Sequence, residues 1–273
     1  MDDITAQGMR MAKLGLGTWR LKGHECTEAV VRAIGLGYRH LDTAEMYGNE
    51  DAVGEAIASA GVPRREIHLT TKVWWENLGS MDRAIEASLA KLRTDYVDLY
   101  LIHWPAPDMD LPAVIKSLVR VQEQGLARAI GVANFNVALL RRAVEELGAP
   151  IACNQVEYHV LLGQDRLVQY CQSKGVPVVA YAPLAQGRLA QHEELRAIAQ
   201  KHGATPAQVA LKWLLDQDGV AAIPKAARRE SQQANLDALR IKLDDTDRAA
   251  IAMLPKTNRF VNPGFAPEWD PVG

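Results

Sequence analysis

The sequence predicts an α/β fold, a (β/α)8 TIM barrel with a short N-terminal hairpin, extra helices and a C-terminal loop. Three observations predict it. Eight short apolar, β-rich runs recur along the chain, with helical patterns between them. Polar residues that a buried strand would not favour stand at or just past the ends of those runs: Asp42, Lys72, His103, Asn134, Gln155 and Lys225. The alternation also spans all 273 residues with no linker or break in composition, so one domain, 1–273, is expected. An open doubly wound sheet shares the alternation but would spread the polar ends along a wide edge, whereas a barrel gathers them at one mouth.

Taken in order, the strands are expected at 14–17, 38–41, 68–73, 97–102, 128–133, 151–156, 177–181 and 220–224. Most are near-continuous apolar runs, as in parallel strands covered on both faces. Ahead of them, Gly8 is a turn signal, and 8–13 reads as a hairpin-like segment closing the N-terminal face. Among the helices, Ser80 reads as an N-cap with Ile85, Leu89 and Leu92 on one face. Leu139, Leu140, Ala143, Val144 and Leu147 form a second stripe. Thr205-Pro206 reads as an N-cap followed by proline at the first helical position. Gly37, Gly61, Gly125, Gly148, Gly175 and Gly203 read as helix stops. The extra material comprises two helices within 191–217, a helix over 245–254, and an ending that holds Phe260, Phe265 and Trp269.

Composition narrows the function. Hydrophobic residues make up 48%, charged residues 23%, and the formal net charge is −2, so neither nucleic acid nor a membrane surface is an expected partner. No apolar stretch approaches the ~20 residues of a membrane span. The start, MDDITAQGMRMAK, has no apolar core, so no secretory signal is expected. Cys26, Cys153 and Cys171 are isolated and odd in number, which reads as reduced packing thiols in a cytoplasmic protein.

Four segments could carry chemistry. GLGTW at 15–19 resembles half of a dinucleotide fingerprint, but Arg20 stands where the third glycine should be and no well-formed helix follows, so a Rossmann site is rejected. In LDTAEMYGNE, Asp42 directly follows an apolar run and Tyr47 lies in the next loop; alone, they read as a helix cap and a surface anchor. Lys72 ends another apolar run, where its charge needs a partner, and Asp42 on the neighbouring strand is one. Alone, Lys72 also reads as a lysine reaching solvent, or as the Schiff-base lysine of a barrel aldolase or isomerase; a carboxylate neighbour holds it protonated, the wrong state for that attack. His103 ends a third run and reads alone as a hydrogen-bonded structural residue; no second ligand stands at metal spacing, and no metal is expected.

Together these strings, with GVPRREIHLTTKVW, KLRTDYVDLYLIHWP and IGVANF, resemble the aldo-keto reductase superfamily in order, from the first strand to Trp269. The resemblance implies reduction of an aldehyde or ketone to an alcohol with NADPH as hydride donor. It makes Tyr47 the proton donor, Lys72 its neighbour, Asp42 the partner of Lys72, and His103 the residue orienting the carbonyl. A free tyrosine is a weak acid, pKa ~10, and a cation beside it would bring that value toward working pH. By the same resemblance Asn134 and Gln155 hold the carboxamide, Tyr181 stacks on the nicotinamide, Thr18 lies near the ribose or nicotinamide, and Pro183 belongs to the cofactor-binding set. Lys225, Arg228 and Asn235 fall at the adenosine 2′-phosphate end. Trp19, Trp74, Trp104 and Trp269 would wall the substrate.

The chain departs from the pattern at Ala133, Ala226, Ser231 and Ala234, where the family usually has Ser, Ser, Arg and Glu. NADPH is therefore expected over NADH, but with softened preference. The ending, with Ala266-Pro267-Glu268-Trp269-Asp270, resembles bacterial 2,5-diketogluconate and methylglyoxal reductases. The partner implied is a small carbonyl compound, and a monomer is expected. A non-catalytic NADPH-binding sensor, a form some family members take, is opposed by the intact Asp-Tyr-Lys-His set.

Overall fold

Each apolar run becomes a strand because its side chains are needed on both faces, inside a barrel and beneath a ring of helices. The computed structural model describes residues 3–272. It opens with an antiparallel hairpin, β1 (Asp3–Ala6) and β2 (Met9–Ala12), in register at Ile4↔Met11 and Ala6↔Met9. Gln7 and Gly8 both have left-handed φ, 48° and 77°, as a two-residue hairpin turn requires. The alternation then runs β3 (Leu16–Gly17), α1 (Gly23–Gly35), β4 (His40–Asp42), α2 (Glu50–Ser59), β5 (His68–Val73), α3 (Met81–Leu92), β6 (Val97–Ile102) and α4 (Leu111–Glu123). It continues through β7 (Ala127–Ala133), α5 (Val137–Arg141), β8 (Ile151–Glu157), α6 (Asp165–Ser173) and β9 (Val178–Tyr181). Then come α7 (Glu193–Lys201), α8 (Pro206–Leu215), β10 (Val220–Ala222), α9 (Arg229–Asp237) and α10 (Asp245–Ala252).

Strands β3 to β10 pair in parallel in chain order. Parallel bridges Leu14↔Ala222 and Gly17↔Lys225 join the last strand to the first and close the barrel. At this seam the chains approach so closely that a Cβ on Gly17 would lie 2.6 Å from the Ile223 carbonyl oxygen. Ile4, Met9 and Met11 of the hairpin pack with Leu99, Leu101, Ala129, Cys153, Val179 and Ala221, plugging the end opposite the strand C-termini. The main core lies between strands and helices, and α7, α8 and α10 share a second cluster around Leu195, Ile198, Val209 and Ile251.

The second strand begins at His40 rather than at residue 38, because Tyr38 turns away and donates its hydroxyl to the Gln232 carbonyl at 3.0 Å. Strand seven begins after Pro177, and strand eight ends at Ala222. Ser80 does occupy the N-cap of α3, but its side chain makes no capping bond. Thr205 does cap α8, in a capping box with Gln208. After α5 the helix widens into a π turn over Arg142–Glu146, which swings Leu147 off the apolar stripe to 38% exposure. Cys26, Cys153 and Cys171 are all buried, free thiols.

Candidate active site

Neighbouring strands deliver the polar residues to one mouth. Asp42 ends β4, Lys72 is the penultimate residue of β5, and His103 follows β6. Tyr47 closes a single 3-10 turn, Glu45–Tyr47, which Gly48 ends in a left-handed conformation, φ 58°. The Lys72 side chain is fully buried and Asp42 nearly so; Lys72 Nζ lies 2.5 Å from Asp42 Oδ1. The same ammonium donates to the Thr43 carbonyl at 2.9 Å and reaches the Tyr47 hydroxyl at 3.4 Å. The other Asp42 oxygen accepts from Gln155 Nε2 at 2.8 Å. The Tyr47 ring lies edge-on to His103, 5.6 Å between centroids, and against Trp19 at 4.8 Å. His103 is buried, and among the described residues its Nδ1 has no partner.

Burial governs the proton affinities. It holds the His103 imidazole well below the ordinary 6.5, with the nearby Lys72 charge acting in the same direction, so this ring is neutral at pH 7. Burial lowers Lys72 against the opposing pull of Asp42. Burial, then the Asp42 charge, raises the Tyr47 phenol well above 10. The sequence-based expectation that the lysine would bring the tyrosine toward neutrality is therefore reversed. Desolvation disfavours the phenolate most, and the nearby Asp42 carboxylate adds to it. What results is a protonated phenol beside a buried ion pair and a neutral imidazole, able to hand a proton to an acceptor in the cavity.

These residues open on a cavity of about 770 Å³ whose lining includes Trp19, Trp104, Asn134, Gln155, Tyr181, Pro183 and Lys225. Asn134 follows β7 with a left-handed φ of 63°, which an asparagine tolerates. Its Nδ2 donates to the His103 carbonyl at 2.9 Å, and its Oδ1 accepts from the Tyr181 hydroxyl at 2.8 Å. Thr18 is fully buried behind the wall and donates its hydroxyl to the Asp42 carbonyl at 2.9 Å. Lys225 and Arg228 are exposed, Arg228 at the N-cap of α9, and Asn235 is buried within that helix. Trp74 packs edge-on against His103 at 5.4 Å, and Trp269 lies 6.0 Å from Trp104 in an outer layer.

Sequence reasoning missed several contributors. Glu45 fixes the Tyr47 turn to the next loop, accepting from Trp74 N–H at 2.8 Å and Asn77 Nδ2 at 2.6 Å. Asn49, in the same loop, is another. Its amide is buried and binds Thr43, Thr18 and Leu21, fastening this loop to the one after β3. The segment after β9 contributes Ala182, Leu184, Gln186 and Leu189 to the cavity, with Ala182 and Gln186 at positive φ. Nothing in its composition signals that strain.

A closed barrel with this cluster at its mouth defines a carbonyl-reducing oxidoreductase class, and the chain belongs to the aldo/keto reductase family, whose profile matches residues 13–255. Members of that family use NAD(P)H. Methylglyoxal reductase DkgB of Escherichia coli O157:H7 is 44% identical over 269 residues, covering 96% of this chain and all of the relative. A crystal structure of a protein provisionally named 2,5-diketo-D-gluconic acid reductase B superposes with a TM-score of 0.96 at 40% identity, covering 99% of this chain and 98% of that one. Aldose reductase from Schistosoma japonicum gives 0.90 at 31% identity, covering 96% and 94%.

Proposed function

We propose that the protein reduces small aldehydes and ketones with NADPH, with Tyr47 as proton donor. One observation carries the reading: a fully buried Lys72 ammonium bound to Asp42 at 2.5 Å and reaching the Tyr47 hydroxyl at 3.4 Å, beside His103. A cavity of about 770 Å³ suits a cofactor ring and a small substrate together. Its donor set suits a nicotinamide: the amides of Asn134 and Gln155, the Tyr181 ring and Pro183 along one wall, and the Lys225 cation at the rim. Thr18 supports this set from behind through the Asp42 carbonyl. When bound, the cofactor supplies a hydride.

The chain's own residues would do the rest. His103, neutral, orients the carbonyl oxygen toward the Tyr47 hydroxyl. Tyr47, held protonated by burial, gives its proton to that oxygen as negative charge develops there. Lys72 steadies the phenolate left behind, and Asp42 keeps Lys72 charged and in place. Trp19 and Trp104 border the substrate, and Trp74 and Trp269 back them from the outer layer. Arg228 and Asn235 belong to the far, 2′-phosphate end with Lys225. The names of the relatives favour an α-dicarbonyl such as methylglyoxal as substrate.

The test is Tyr47→Phe, assayed with methylglyoxal by loss of NADPH fluorescence. Turnover should fall about 10²–10⁴-fold, the usual worth of general acid catalysis, while NADPH binding is retained. Wild-type turnover in the variant would remove Tyr47 from the proposed role.

A further inference from the structure

Glu157 is the last residue of β8 and is fully buried. It lies two residues beyond Gln155, on the same face of the strand. The reaction proposed above makes no use of it. Its carboxylate instead receives the C-terminal segment: Oε1 accepts the Phe260 N–H at 2.8 Å, and Oε2 the Val261 N–H at 2.9 Å. His159 Nε2 lies 3.1 Å from Oε1, and the Arg259 guanidinium 4.0 Å from Oε2. A carboxylate in such a place is costly unless its lone pairs are met, and here the main chain of the tail meets them.

From this clamp the tail spreads along the cavity. Val261 lines it directly. The Phe260 ring stacks on His159 at 5.3 Å, and the Arg188 guanidinium, from the segment after β9, lies 4.3 Å from the same ring. Arg259 lies 3.8 Å over Trp269, which packs on the cavity residue Trp104. Phe265 reaches Trp74 and Trp104 with edge-on contacts at 5.7 and 5.6 Å.

We infer that Glu157 is a positioning residue that fixes the tail wall of the cavity, and through it sets which carbonyl compounds fit, without touching the reacting atoms. The inference rests on the carbonyl-reductase reading of this cavity. Glu157→Gln tests it, because the amide keeps the shape but turns an NH2 toward one of the two N–H groups that now donate to the carboxylate.

Two readouts are taken: hydrogen exchange of the Phe260 and Val261 amides, and kinetics with cinnamaldehyde and propanal. Exchange at those amides should accelerate about tenfold or more as the clamp opens. The kcat/KM ratio of cinnamaldehyde to propanal should fall about tenfold, through KM rather than kcat. Unchanged protection at both amides, or equal losses for the two aldehydes, overturns the inference, since a purely structural lesion lowers both rates alike. A wild type that reduces neither aldehyde overturns the reductase reading and the specificity claim with it, while the exchange result still decides whether the clamp exists. Should the Gln variant not fold, Glu157→Asp carries the same test, drawing the carboxylate one methylene back from the two N–H groups.

Discussion

Lys72 and Asp42 were legible because a charge at the end of an apolar run needs a partner, and the neighbouring strand supplied one. The proton affinity of Tyr47 was not legible, since it depends on how dry the hydroxyl is and on the Asp42 charge beside it. Glu157 carried the same signal as Asp42, a carboxylate ending an apolar run, but its partners are main-chain groups about a hundred residues away, which no side-chain pattern announces. At the rim, Lys225 and Arg228 are exposed, and Ala226, where a serine is usual, is buried. Charge-assisted bonds to a 2′-phosphate are worth about 1.5–3 kcal/mol each, but exposed cations left without it stay hydrated. Preference for NADPH over NADH should therefore be about 10–100-fold. Lys225→Met and Arg228→Ala should each weaken NADPH more than NADH. Titrating both cofactors against both variants checks this, and equal losses would mean that neither side chain reads the phosphate.

Elements were legible in kind and number but less so at their edges. Strand starts at 38 and 177 were misplaced because tertiary demands decide them: a phenol needed against α9, and a proline that cannot donate to the ladder. The π turn after α5 left no mark in the spacing. Gly8 signalled the hairpin's turn, but the segment expected at 8–13 holds only its second arm; the first, Asp3–Ala6, lies before it, and Ile4, Ala6, Met9 and Met11 of the two arms are buried. Removing residues 1–7 deletes β1 and the Ile4 contact, at a cost of about 1.5–3 kcal/mol for that side chain. The melting temperature should drop while kcat and KM hold, because the hairpin closes the end away from Tyr47. A fall in kcat at unchanged melting temperature would show that the bottom of the barrel communicates with the mouth.

At the scale of the molecule, the strand-helix alternation and the clustering of strand ends were enough to expect a closed barrel. The buried histidines within it were not foreseen as a group. Burial lowers His40, His68 and His103 below the ordinary 6.5, the last two well below. As pH falls through 6.5, the unfolded chain takes up protons that the folded chain refuses, so stability is present above that pH and lost below it. With three such groups the slope approaches about 4 kcal/mol per pH unit. Thermal unfolding between pH 7.5 and pH 5, expected as one transition if 1–273 is one unit, should show a melting temperature that declines steeply below about 6.5. A flat profile would mean that the folded protein accommodates charged histidines.

The seam between β3 and β10 also sets an order of events during synthesis. Gly15 and Gly17 donate their N–H groups to the carbonyls of Ala222 and Pro224, residues that leave the ribosome some two hundred positions later. Until they do, the growing sheet has two raw edges, β3 at one side and the newest strand at the other. A nascent chain halted before Val220 therefore cannot become a smaller barrel. Its two edges would stay open to pairing with other strands until residues 220–225 have emerged and sealed the seam.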